Sequence, residues 1–345
     1  MQFQYCQNMK RFVSLFCLSF LSFLLCVSCI HNQDKSIKKG SSGKTQELLL
    51  VADKSTYQGS TKALIDSLFC SPQPGLPQGT PRFDLVNIPV SSFKNSEMFR
   101  VHRNVLMCDI NPGNPNKVYK HIDEWAAPQV VFDFAVKDSA SLNELLVKYA
   151  STILAEMQKA EHRRVIKAFR GMKGVEVVNQ VKKQFGFSLM VSNEFELANP
   201  SNPSDNFAWI RKETKDFGIG VLVQVSPYLS QKQLDSSAVL DAIDTLMHRH
   251  IQGSADSSYM GLERKNLDIF CAPVDFEGSS FCMETRGCWR TFGDFMGGPM
   301  VAYTLLSPDK KQVVTLVGYV YCPRNTPPKR DLLMQVESIC HSIEW

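Results

Sequence analysis

From Glu47 onward, apolar and polar positions fall into a helix-containing half and a strand-rich half. "ELLLVAD" (Glu47 to Asp53) is a continuous apolar run of strand length. An amphipathic stretch from about Ser60 to Phe69 predicts a helix, and "CSPQPGLPQGTPRF" reads as a Pro/Gly loop. Three strand-like runs follow: "FDLVNIPV", "HRNVLMCDI" and "PQVVFDFAV". Leu142, Leu145, Tyr149, Ile153, Met157 and Ala160 share one helical stripe. They predict a long helix from about Ser141 to Arg170, opened by a Ser141–Glu144 capping box and ended at Gly171. This half reads β-α-β-β-β-α, one sheet with helices on one face.

A short helix around Val175 to Gln184 leads into "FGFSLMV". "NFAWIRKE" and "GIGVLVQVS" predict a hairpin turning through Thr214 to Phe217. Ser236 or Ser237 caps a helix with the stripe Val239, Ile243, Leu246 and His250. Four strand runs follow, "LDIFCAPVDF", "SSFCMETRGCWRT", "PMVAYTLLS" and "QVVTLVGYVYC", and a last helix carries Leu332, Val336, Ile339 and Ile343. Grouped strands with flanking helices predict an α+β fold of two domains, 46–184 and 185–345, with mainly antiparallel sheets. Three strands, a helix, a four-strand meander and a final helix resemble the PsbP-like topology. That analogy says nothing about function.

The N-terminus changes the picture. Lys10 and Arg11 precede the apolar run "FVSLFCLSFLSFLLCVS", which small residues and Cys29 close. This is the pattern of a secretory signal peptide over residues 1–28. Val27-Ser28-Cys29 fits the end of a lipobox, although the usual leucine three places before the cysteine is Cys26. Cys29 is therefore the expected lipidation site. The alternative is a plain secretory signal cleaved after Ser28. Residues 29–45, polar and rich in Lys, Ser and Gly, read as a flexible tether. Within it "GSSGKT" has two residues between its glycines where a P-loop needs four, and it precedes a strand instead of following one.

Removing Lys10 and Arg11 from the formal charge of +4 leaves +2, which gives no concentrated basic face for nucleic acid. Of 11 cysteines, seven remain beyond Cys29: Cys70, Cys108, Cys271, Cys282, Cys288, Cys322 and Cys340. Their apolar neighbours favour small buried hydrophobes, with one exported disulfide among Cys271, Cys282, Cys288 and Cys322 as the alternative.

Candidate chemistry is sparse. His248 and His250 lie two apart on a helix and point away from each other, so they cannot share a metal. "EHRRVIKAFR" (Glu161 to Arg170) reads as a solvated helix end complementing the dipole, with anion binding as the functional alternative. Glu284 and Arg286 share one strand face with Cys282 and Cys288. Buried, such charges must be paired; exposed, they form a cross-strand rung. "WRTFGDFMGGPM" (Trp289 to Met300) lies between strand runs. It predicts a hairpin tip in which Gly293, Gly297 and Gly298 supply unusual φ angles, Pro299 opens the next strand, and Phe292, Phe295, Met296 and Met300 pack on the body. No nucleophile elbow, zinc-protease helix or dinucleotide glycine pattern is present, so no catalytic residue, metal or cofactor is assigned.

The stretches "SGKTQELLLVADKS", "PGLPQGTPRFDLVNIP", "HRNVLMCDI", "WAAPQVV", "ETRGCWRTFGDFMGGPM" and "GYVYCP" resemble the bacterial lipoprotein family named domain of unknown function 4837. The resemblance runs from about Ser42 to Trp345. It implies an envelope lipoprotein of Gram-negative bacteria and supplies no reaction or ligand. Two functions follow as expectations. One is a lipid-anchored binding or assembly module of the envelope, most naturally at the outer membrane, with a protein or glycan partner and no nucleic acid. The other is an envelope hydrolase or carbohydrate-active enzyme using a Glu284/Asp294 carboxylate pair. The candidate binding residues are Glu284, Arg286, Trp289, Asp294, Phe295 and Met296.

Overall fold

Four of the apolar runs in the first half pair into one sheet. In the computed structural model, which describes residues 38–198 and 206–345, they are β1 (Glu47–Val51), β2 (Asp84–Ile88), β3 (Asn104–Ile110) and β5 (Val130–Val136). The segment expected to be a signal peptide and Cys29 lie outside the described residues. β4 (Lys117–Ile122), too charged to show as a strand run, completes the order β2-β1-β3-β5-β4. β1, β2, β3 and β5 run parallel, and β4 pairs antiparallel with β5. The fold is α+β with two sheets. The antiparallel expectation holds for the two together, whereas the first sheet is mainly parallel. Its strands are connected through α1 (Gly59–Phe69) and the short helices α2 (Val90–Asn95) and α3 (Glu97–Arg100), and such crossovers leave strands parallel.

Helix α4 (Ser139–Gly171) begins two residues earlier than the capping box suggests. Asp138 is the cap, its side chain accepting from the Ser141 backbone N–H at 2.8 Å. Leu142, Leu146, Ala150, Ile153 and Met157 are its buried stripe, set against Leu50, Leu106 and Phe134 of the first sheet. Phe93, Leu49, Val51 and Val105 form a smaller cluster on the other face.

The second sheet has eight strands. Six follow the order β10 (Phe270–Pro273), β11 (Phe281–Phe292), β12 (Gly297–Leu306), β13 (Gln312–Tyr321), β8 (Gly218–Pro227) and β7 (Phe207–Glu213), with the short β6 (Glu196–Leu197) beyond β7. β9 (Tyr259–Leu262) pairs with the far end of β11. β12 and β13 are buried on both faces, as central strands covered by helices on each side must be. One face carries α5 (Val175–Phe185) and α7 (Lys329–Cys340), and the other carries α6 (Ser236–His250). Val177, Val178 and Val181 of α5 join the second core.

The expected tether is shorter than drawn. Ser42 N–H donates to the Val101 carbonyl at 2.9 Å, and Arg103 N–H donates to the Ser42 carbonyl at 3.0 Å. The chain is thus held to the first sheet before β1 begins.

The second sheet also explains Gly298. It lies in β12 beside Trp289, and a Cβ there would collide with the carbonyl oxygen of Val320. We expect Gly298→Ala to lower stability by about 1–3 kcal/mol, the usual cost of overpacking. Gly79→Ala, with open space around it, should be neutral. Equal urea midpoints for the two variants would refute this account.

Candidate functional site

Strand alternation decides where the candidate residues go. On β11, Cys282, Glu284, Arg286 and Cys288 face α7, whereas Met283, Thr285 and Trp289 face α6. Arg286 is buried, and its two terminal nitrogens meet Glu337 Oε1 on α7 at 2.6 Å and Glu284 Oε1 at 2.7 Å. Tyr303, opposite Glu284 on β12, donates its hydroxyl to Glu284 Oε1 at 3.2 Å. Gln158 on α4 donates to the other oxygen of Glu337 at 3.3 Å. This is the buried, paired form of the rung.

Burial, the largest single influence, pushes Arg286 toward neutrality, but Glu337, Tyr303 and Glu284 together outweigh it and hold the guanidinium pKa well above its ordinary value. Burial, reinforced by Glu337, raises the Tyr303 phenol. The Pro/Gly loop covers the cluster: Cys288 Sγ lies 3.6 Å from the Gly75 carbonyl, and Leu76 packs into the second core. At the loop's end, burial and then Arg286 hold Arg82 below the usual arginine range.

The Glu284/Asp294 pair is not assembled. Phe292 lies eight positions beyond Glu284 on the strand, about 26 Å at strand rise, and Asp294 sits in the turn beyond. There Asp294 accepts from the Ser254 hydroxyl and from the Phe295 backbone N–H at 2.6 Å, and these bonds, the Ser254 one foremost, leave its pKa below the ordinary carboxylate value. The separation fits neither carboxylate geometry for glycoside hydrolysis. Trp289 is on the opposite face from Arg286, its indole N–H donating to the Val320 carbonyl at 3.1 Å and its ring edge-on to Tyr319.

The hairpin tip also differs from expectation. Gly293 has a positive φ of 83°, whereas Gly297 and Gly298 belong to β12 and Pro299 sits inside it. Phe292 stacks on Tyr259, with Arg290 over its ring, and Met296 packs partly against the second sheet. Met300 is fully buried, but Phe295 is fully exposed. The tip does not fold its apolar residues down as a set.

The charged end of α4 is solvated only at Lys167, Ala168 and Arg170. Glu161 is buried and bridges Arg103 at 2.8 Å and Arg164 at 2.9 Å, and Asn104 donates to it at 2.8 Å. Arg164 reaches the Pro128 carbonyl at 3.0 Å and the Ser41 hydroxyl at 3.2 Å, and burial lowers its pKa to about 10. His248 and His250 point apart, stacked on Tyr259 and Phe207 respectively. Among the described residues no cluster of three metal-ligating side chains is present, and the seven cysteines beyond Cys29 are unpaired thiols. Burial, the main cause, raises Cys108 to about 12 and Cys288 to about 11.

Sequence reasoning missed Glu337, Tyr303, His162 and His341. The available signal was the polar pair Glu337-Ser338 within the apolar run "LLMQVESICHSI". Leu332, Val336 and Ile339 are buried as expected, but so are Leu333, Met334, Glu337, Ser338 and Cys340, because α7 is enclosed between a sheet and α4.

Residues 175–342 match the model of a domain of unknown function (DUF4837), and residues 41–170 match that of another domain of unknown function (DUF8532). The resemblance to the first family therefore covers the second half and not the whole body. No curated protein matches. Among solved structures, the chain is similar at 12% identity to LpqN of Mycobacterium tuberculosis, described as involved in cell envelope biogenesis. That match covers 44% of this chain and 78% of LpqN with a TM-score of 0.26, too loose a likeness to support an argument.

Removing Arg286 leaves two carboxylates facing each other in the core. We expect Arg286→Met to cost about 3–5 kcal/mol in urea unfolding. Adding Glu284→Gln and Glu337→Gln should recover part of that loss by removing the uncompensated charge. Full stability in Arg286→Met alone would show that the ion triad is not a structural element.

Proposed function

On the premise that residues 175–342 belong to the domain of unknown function 4837, we propose that the protein is a lipid-anchored binding or assembly module of the cell envelope, not an enzyme. One observation carries the reading. The charged groups nearest the candidate region are consumed by one another inside the core, while an ordered turn leaves a phenyl ring in water. A general acid or base needs a carboxylate that substrate can reach. Glu284 is shared with Arg286 and Tyr303, Glu337 is buried, and Asp294 is tied to its own turn.

Phe295 is the opposite case. Burying a Phe side chain gains about 1.5–3 kcal/mol, which this fold forgoes. Its position is nevertheless defined, because Asp294 accepts from the Phe295 N–H and from Ser254 of the neighbouring loop. An apolar side chain presented on an ordered tip suits contact with a protein partner in the envelope.

The anchoring half of the proposal rests on Lys10, Arg11, the apolar run after them and Cys29. No described helix is long and apolar enough to cross a membrane. Attachment through acyl chains on Cys29, most naturally to the outer membrane, is the reading those residues support.

Two measurements test the proposal. Metabolic labelling with a fatty-acid analogue should tag the wild-type chain and not Cys29→Ser, and an untagged wild type would remove the anchor. Crosslinking in intact cells through a photoreactive residue at position 295 should give one reproducible adduct. Competition by overexpressed wild type, but not by Phe295→Ser of equal melting temperature, should abolish it. An adduct insensitive to both competitors would refute a role for the tip in binding.

A further inference from the structure

The seam between α4 and α7 holds two histidines that neither the ion triad nor the hairpin explains. His162 of α4 stacks on His341, the residue after α7, with ring centroids 4.3 Å apart and planes at 24°. The Ser338 hydroxyl donates to the Met334 carbonyl at 2.6 Å, so its only proton is used. His162 Nδ1, 3.1 Å from the same oxygen, must therefore be the donor. Burial keeps this imidazole neutral, so with the proton on Nδ1 its Nε2 carries none.

We propose that the His162–His341 stack is an acid-released latch: protonation of the two rings opens the α4–α7 seam while both sheets remain folded. The groups facing the pair explain why the closed seam refuses protons. From β11 come Arg286 and Glu284, from α7 Glu337 and Ser338, and from β12 Tyr303, whose ring meets His341 edge-on at 4.8 Å. Phe276 stacks on His341 at 4.5 Å, and α4 contributes Gln158. Arg286 opposes a further positive charge, and the two carboxylates that would welcome one are already engaged by that guanidinium.

Burial is the largest influence, followed for His162 by Arg286 and for His341 by His162. It lowers the buried His162 to about 3 and the partly exposed His341 below the ordinary value. In an opened seam both rings return to about 6.5. The open form thus takes up two protons that the closed form does not, and opening becomes more favourable as pH falls below about 6.5. Much of the remaining junction is polar. Arg330 clasps Asp84 and the Pro81 carbonyl, and Lys159–Glu277 and Arg170–Glu344 are exposed pairs, while Val165, Phe169 and Leu76 supply apolar contact. Junctions of this kind permit relative motion of the parts they join.

The test uses the mature chain with Ser338→Cys, a fully buried reporter at the seam, read by mass spectrometry. Its alkylation rate is taken relative to the unfolded peptide at the same pH. Between pH 7.5 and 5.5 two released histidines predict a rise of about 100-fold, and one predicts about tenfold. Cys108 in the first core should stay protected throughout. His162→Phe should show the smaller rise, and His162→Phe/His341→Phe, which keeps two rings without a titration, should show none. An equal rise in the double variant, or simultaneous exposure of Cys108, would overturn the proposal. Should the double variant fail to fold, imidazole NMR of the wild type decides instead: rings titrating near 6.5 in the closed protein would overturn it, and rings silent until the seam opens would support it.

Discussion

Arg286 is the constraint on which the rest of the body depends. A guanidinium placed on a central strand among Cys282, Tyr303 and Cys340 must find counter-charges, since an unpaired ion in such surroundings costs several kcal/mol. One carboxylate comes from its own strand and the other from α7, 51 residues later. Because Glu337 must point at Arg286, the rotation of α7 about its axis is set. That rotation turns Ser338 toward α4 and Leu332, Leu333 and Val336 into the second core. The Pro/Gly loop before β2 then closes over the cluster from the other half of the chain. Apolar burial supplies most of the driving force for this packing, and the ion triad selects one orientation of the helix among those that burial alone would allow.

A second buried ion group does the same for the first half. Glu161 gathers Arg103 and Arg164, and Arg164 in turn holds Ser41 and the Pro128 carbonyl. The two groups lie on the same long helix system, one toward each sheet. α4 therefore works as a polar spine: its apolar stripe serves the first sheet, while Gln158 and His162 meet α7.

These polar contacts mark where the sequence stopped being legible. Periodicity located the main helices and long strands, because each rests on neighbours within a few turns or residues. Alternation on β11 even grouped Glu284 and Arg286 with Cys282 on one face. It could not show that Glu337 completes the group, because the partner comes from a distant helix. The burial of Glu161 near the end of α4 escapes local rules for the same reason. Local rules treat "EHRR" as a solvated helix terminus, and nothing nearby in sequence reveals that Asn104 and Arg103 close over Glu161. β4 escaped because it is an edge strand with polar positions on both faces, so neither alternation nor a continuous apolar run marks it. The hairpin tip was legible as a turn, but three glycines were given one role. Only Gly293 is there for its φ angle, and Gly298 is there because Val320 passes too close for a side chain.

The distribution of polar groups also bears on function. An active site needs reactive side chains held in place yet left with unsatisfied capacity for a substrate. Here Arg286, Glu284 and Glu337 spend that capacity on one another beneath a covering loop, and the histidines stack on each other with a hydroxyl to hold one of them. Substrate could reach such a cluster only if the junction opened. Under the proposed binding role, recognition by the closed body would use what remains outside the core. At the hairpin between β11 and β12 that is Phe295, whose exposure has no counterpart in the packing demands of the strands below it. The β11–β12 ladder ends at Arg290 and Gly297, below the turn, so none of its pairings uses the ring.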